Sequence, residues 1–155
     1  MRRVVVTGLG TINPLGNSVK SSWNSLINSN SGISKITKFE VDDYPCKIAG
    51  SIDDAKLDDE IVSIRDQRKV DRFITLGLIA ADQAIKDSGF VSENEKSYRS
   101  GVMVGSGIGG LDTIYRNSSI LDNQGLRKIS PFFIPSSLIN LLSGHISIKY
   151  NLKGP

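Results

Sequence analysis

A single cysteine, Cys46, and a single histidine, His145, are present in 155 residues. One thiol excludes an internal disulfide framework and any metal site built from several cysteines. One imidazole leaves a zinc site of the usual kind without its ligands, so neither a metal nor a cofactor is expected. Aromatic side chains are scarce, at 6%. No apolar run approaches the ~20 residues of a membrane span. The short run Val4-Val5-Val6 behind Arg2-Arg3 is broken at once by Thr7-Gly8-Leu9-Gly10, too early for the apolar region of a secretory signal. Charge of one sign is lacking too: the formal net charge is only +3, with Asp and Glu interspersed among Lys and Arg. A nucleic-acid binder usually carries a stronger bias and a continuous basic face. The expectation is a soluble, cytoplasmic protein with neither nucleic acid nor membrane as a partner.

What the chain has is glycine, 15 residues of it and several clustered, against an otherwise ordinary 39% hydrophobic and 23% charged composition. Glycine clusters mark tight turns and places where backbone approaches something closely. The length suits one ordinary domain.

Apolar periodicity predicts alternating strands and helices. Arg3 to Thr7 is a β-branched run ending at glycine, the pattern of a buried strand. Asn17 or Ser18 is placed to cap a helix to about Asn28, with Val19, Trp23, Leu26 and Ile27 on one face. Lys47 to Ile52 alternates as a strand, and Ala55 to Ile64 fits a short helix. The clearest element runs from Val70 to Ser88, closed by Gly89, with Phe73, Leu76, Gly77, Ala80, Ala81 and Ala84 at helical spacing. Ile74, Leu78, Ile79 and Ile85 widen its apolar surface, as in a core helix covered on more than one side, and Gly77 and the alanines let a neighbouring backbone come close. Gly101 to Gly105 reads as a second buried strand, followed by Ser106-Gly107-Ile108-Gly109-Gly110 and a helix to about Leu121, with a turn at Asn123-Gln124-Gly125. Ser130 and Ile134 each precede a proline and are expected to be extended. Ser136 or Ser137 would cap an apolar helix from Leu138 to about Tyr150. The alternation gives an α/β class with a largely parallel sheet.

The glycine loops do not make a nucleotide site. Gly8-x-Gly10 begins a dinucleotide fingerprint, but Asn13 occupies the third glycine position. Gly105-x-Gly107-x-Gly109-Gly110 has the wrong spacing, and no Lys-Ser/Thr follows it. Both loops are better read as packing devices. Cys46 has no histidine near it in sequence, and His145 lies inside an apolar helix without a nucleophile beside it; both are structural or incidental on this reading.

Four segments taken together resemble one family. Val4-Val5-Val6-Thr7-Gly8-Leu9-Gly10 with Asn13-Pro14-Leu15-Gly16 is similar to the opening of bacterial β-ketoacyl-acyl carrier protein synthases. Asp66-Gln67-Arg68-Lys69-Val70-Asp71-Arg72-Phe73 is similar to the start of their long core helix. Gly105-Ser106-Gly107-Ile108-Gly109-Gly110 resembles their glycine loop, and Arg127-Lys128-Ile129-Ser130-Pro131-Phe132-Phe133-Ile134-Pro135 the segment after it. The resemblance covers essentially the whole chain and is strongest to the elongating, synthase II type.

It implies a thiolase-like fold, present as an incomplete N-terminal half with a mostly parallel sheet and a buried core helix, in a homodimer. It implies an acyltransferase of fatty acid biosynthesis: a cysteine takes an acyl chain from acyl carrier protein, and malonyl-acyl carrier protein loses CO₂ and attacks that thioester. Such a thiolate needs a depressed pKa, and the developing enolate oxygen needs positioned donors. The family's cysteine, two histidines and lysine have no counterparts in residues 1–155. The span is therefore expected to be a partial domain that ends before the nucleophile strand and helix and is inactive alone. The resemblance makes Ile108, Phe133 and Ile134 acyl-pocket residues, the last two reaching across the dimer, and makes Arg65, Arg68, Lys69, Arg127 and Lys128 the docking positions for acidic carrier protein. A non-catalytic remnant, a carrier-docking module and the condensing domain of a polyketide synthase are the alternatives. The wide apolar helices lead to the expectation that the isolated chain associates or is partly molten.

Overall fold

The structure, a computed structural model, describes residues 3–53, 57, 60–91 and 94–155, which form two compact units. Of the predicted helix over 55–64, residues 55, 56, 58 and 59 lie outside the described residues; residues 60–63 are turn and loop, and helix begins only at Ile64.

The first unit takes the residues before position 59 and residues 79–89. Helix α1, Val19–Ile27, starts at Ser18 through a reciprocal capping box with Ser21. The Ser18 hydroxyl accepts from the Ser21 amide at 3.2 Å, and the Ser21 hydroxyl accepts from the Ser18 amide at 3.0 Å. The apolar stripe expected to bury this helix is exposed instead: Trp23, Leu26 and Ile27 each keep more than half their surface open. The sheet is a pair of three-residue strands, β1 (Ile33–Lys35) antiparallel to β2 (Ile48–Gly50), with Ser34 opposite Ala49. Strand β2 lies inside the run predicted from alternation.

Helix α3, Arg72–Ser88, carries the deepest core and gives Ile79–Ser88 to this unit. Its C-terminus is the predicted glycine cap, with Gly89 at φ +61° and its N–H donated to the Lys86 carbonyl. The 8–11 loop lies flat on it. A Cβ on Gly8 would stand 2.3 Å from the Ala84 carbonyl oxygen, and one on Gly10 only 2.0 Å from that of Ala80. Polar contacts fix the same approach: the Leu9 amide donates to Asp87 and the Thr11 amide to Gln83, while Gln83 donates to the Asn17 carbonyl. Gly8-x-Gly10 is thus the packing device its failed fingerprint suggested.

The second unit holds residues 59–78 and 90–155. It contains α2 (Ile64–Gln67), the first part of α3, α4 (Asn94–Arg99), α5 (Leu111–Gln124), a 3-10 turn (Leu126–Lys128), α6 (Phe133–Ser137) and α7 (Asn140–Tyr150). Ile74, Leu78, Val62, Leu142, Ile146 and Leu152 are its buried apolar side chains. Gly77 admits Leu142: a Cβ there would come within 2.3 Å of a Leu142 methyl. Asn151 ends α7 in the left-handed conformation, and residues 152–154 then run beside α4, with Lys153 donating to the Ser97 carbonyl and Gly154 to that of Ser100.

Several expectations are corrected. Residues 3–7 and 101–105 pair with nothing among the described residues, where the β1–β2 pair is the whole sheet; Val4 is 94% and Met103 99% exposed. The mostly parallel sheet is therefore absent here, because an apolar run becomes a parallel strand only when hydrogen-bonded neighbours and covering layers are present. Ile134 is helical, not extended. Pro135 sits in the first turn of α6, where its missing N–H is no loss, and that outweighs the bias of the preceding residue. Ser136 and Ser137 belong to α6, their hydroxyls donating to the Phe133 carbonyl, and cap nothing. Helix α5 runs on to Gln124 before Gly125, at φ +82°, ends it.

Candidate functional site

Asp71 organises the surface of the second unit that carries most of the candidate residues. It is buried immediately before α3, and one carboxylate oxygen accepts from both the amide and the hydroxyl of Thr113 on α5, at 3.1 and 2.7 Å. The other accepts from the Phe73 amide, and the Asp71 N–H donates to the Ser136 carbonyl. One side chain and its backbone therefore tie α3, α5 and α6 together. Asn117, also buried, extends the frame by donating to the Thr113 carbonyl and accepting from the Ser130 amide.

Around this frame lies a cleft of about 220 Å³ lined by Arg68, Lys69, Arg116 and Lys128 among others. Three of the five predicted basic residues are thus brought together; Arg65 and Arg127 are exposed but do not line the cleft. Lys69 is shared with Asp66 at 2.7 Å and Arg116 with Asp112 at 2.9 Å. The Lys69 ammonium, with the Ser63 hydroxyl next in weight, holds the Asp66 carboxyl below the usual carboxylate range. Arg116 was not singled out from sequence. The signal was there: Thr113, Arg116, Asn117 and Ile120 recur at helical spacing and face the cleft together.

The glycine loop 105–110 packs on the α6–α7 junction. The Ser106 hydroxyl accepts from the Gly109 amide at 3.1 Å, and Gly110 donates to the Ser137 carbonyl at 3.0 Å. Gly109, at φ +76°, leaves no room for a side chain, since a Cβ would stand 2.4 Å from Ile139. Of the pocket candidates, Ile108 is 67% and Ile134 54% exposed and Phe133 half-buried. They do not share a described cavity. A cavity of about 550 Å³, open to solvent, is lined instead by Val62, Val70, Leu78, Phe132, Pro135, Ile148 and neighbours, with His145 among them. Cys46 is exposed, its thiol donating to the Ile48 carbonyl at 3.3 Å. Among the described residues no helix is long and apolar enough to cross a membrane.

The fold defines a class first. Over its whole length the chain superposes on a β-ketoacyl synthase from Burkholderia phymatum STM815 with a TM-score of 0.79 at 20% identity, covering 38% of that chain. It superposes on a ketosynthase/chain length factor, described as that of ishigamide, with a TM-score of 0.76 at 23% identity, covering 38% of that chain. The backbone is that of the N-terminal portion of a thiolase-like ketosynthase.

Sequence then gives the family. Residues 1–155 match the N-terminal domain of β-ketoacyl synthases from end to end, and the chain belongs to that family. It is 46% identical over 154 residues to 3-oxoacyl-[acyl-carrier-protein] synthase 2 of Vibrio harveyi and 45% identical over 155 residues to the protein of that name from Coxiella burnetii. Each alignment takes in 99% of this chain and 37% of the relative. The chain thus spans little more than a third of the length of these relatives.

Proposed function

We propose that these residues are the leading part of a β-ketoacyl-acyl carrier protein synthase of fatty acid elongation, supplying carrier docking and part of the acyl-pocket wall. The observation that carries the proposal is the end-to-end family match, at 46% identity to a relative named for this reaction. In the proposed reaction a cysteine thiolate, outside residues 1–155, displaces carrier protein from an acyl thioester. Malonyl-acyl carrier protein then loses CO₂, its carbanion attacks the acyl carbonyl, and the thiolate leaves. Cys46 is not proposed as that nucleophile: it sits in an exposed loop with its thiol donating to the Ile48 carbonyl.

The docking role is supported by the cleft that gathers Arg68, Lys69 and Lys128, since several cations facing an acidic surface steer association. A ketosynthase of the same fold, matched with a TM-score of 0.68, is described in complex with its acyl carrier protein. The exposure of Ile108 and Ile134 suits residues that a second subunit covers, in keeping with a cytoplasmic homodimer whose partner completes each acyl pocket. The polyketide alternative draws on structures at 23% identity, which speak for fold alone, whereas the identity to elongating synthases is twice that.

The test is to incubate the chain with acyl- and malonyl-loaded carrier protein and to record intact mass, product and binding. We expect saturable binding that weakens with salt, no acyl adduct and no 3-oxoacyl product. An acyl adduct on Cys46 would overturn the placement of the nucleophile, and absence of binding would overturn the docking role.

A further inference from the structure

We propose that Arg116 is a partner-recognition residue: it completes the cationic cleft and exchanges its contact with Asp112 for a carboxylate of the acidic carrier protein. The inference rests on the docking role above and extends it onto α5.

The cleft draws its cations from three separate segments: Arg68 and Lys69 follow α2, Arg116 stands on α5, and Lys128 on the 3-10 turn. Arg68 and Lys128 have no carboxylate partner among the described residues. The other two are each shared with an exposed aspartate on their own segment. Four cations against three carboxylates, the exposed Asp66 and Asp112 and the buried Asp71, leave the cleft with an excess of positive charge that suits an acidic protein face.

Arg116 is suited to the exchange. Its side chain is 73% exposed and that of Asp112 62%, so their contact is screened and cheaply given up. A guanidinium also presents a planar fork of donors that grips an incoming carboxylate at two points. Meanwhile the ground beneath it is fixed. Asn117, the next residue, is buried with both ends of its amide committed, and Thr113, one turn earlier, is held by Asp71. A mobile charged head on a rigid helix face gives orientation as well as attraction.

The experiment is titration, at low salt, of acyl carrier protein onto the full-length synthase that the proposed function gives these residues, each variant first shown by circular dichroism to keep its helix content. Arg116→Glu is expected to weaken binding about tenfold and Arg116→Gln about threefold. Asp112→Asn, which frees the guanidinium, is expected to tighten it. Lys20→Glu, a reversal on exposed α1, controls for unspecific charge and is expected to stay within about twofold of the parent. If Arg68→Glu weakens binding while Arg116→Glu does no more than Lys20→Glu, the inference is overturned and the docking role stands. If Asp112→Asn weakens binding as Arg116→Gln does, the pair merely supports α5, and the inference is again overturned. If neither Arg68→Glu nor Arg116→Glu changes binding, the docking role itself fails.

Discussion

At the scale of single residues, polar side chains and glycines fix the local geometry. Asp71, itself buried, satisfies part-buried donors on two helices, so Asp71→Ala would leave the Thr113 amide and hydroxyl without their partner, at a cost of about 1 kcal/mol. We predict faster hydrogen exchange at the Thr113 amide in that variant, with little change at the α1 amides. Gly10→Ala forces a methyl onto the Ala80 carbonyl, and overpacking of this kind costs about 1–3 kcal/mol. Its expected signature is a lower thermal midpoint together with loss of protection at the Thr11 amide. Asp66 titrates below the usual carboxylate range because Lys69 and Ser63 favour its charged form. A lowered folded-state value makes its contribution complete above the unfolded-state value and lost as pH falls through the folded one. At neutral pH Asp66 therefore stays charged and competes for Lys69. Asp66→Asn is predicted to tighten carrier binding at pH 7, and the gain over the parent should shrink once the pH is low enough to protonate Asp66. These roles were only partly legible in the sequence. Gly89 declared itself as a cap through position and type, and Ser18 as one of two candidates with Asn17, whereas nothing in the sequence singled out Asp71, because its partner Thr113 lies 42 residues away.

Among the elements, helices with local start and stop signals were legible, and of the expected strands only the run that holds β2 was. The core helix was predicted over Val70–Ser88 and runs Arg72–Ser88, because periodicity and a glycine cap are properties of the segment itself. Its deepest row proved to be Ile74, Thr75, Leu78 and Ile79, flanked by the buried aspartates 71 and 82, not the alanine-rich stripe, which receives the glycine backbone of residues 8–10. The runs at 3–7 and 101–105 have the composition of doubly covered strands and stand unpaired. Their pattern calls for hydrogen-bonded neighbours and covering layers, which the described residues do not supply. For the glycine loop we predict that Gly109→Ala, at positive φ and against Ile139, displaces residues 105–110 and raises proteolytic nicking there without altering the α3 helix.

For the whole molecule, apolar surface outweighs what two small units can cover. Val4, Val5, Val6 and Trp23 in the first unit and Met103 and Ile148 in the second are all exposed, and large exposed apolar side chains favour association. The isolated chain is predicted to bind a hydrophobic dye and to sediment as more than a monomer; a sharp, reversible thermal transition in a strictly monomeric sample would count against this. The measurement that bears most directly on the central claim is the reading frame in the transcript beyond the codon for Pro155. The account predicts that it stays open into a β-branched strand followed by a cysteine at the start of a helix. A stop codon directly after Pro155 would contradict it, leaving a protein without a condensing nucleophile.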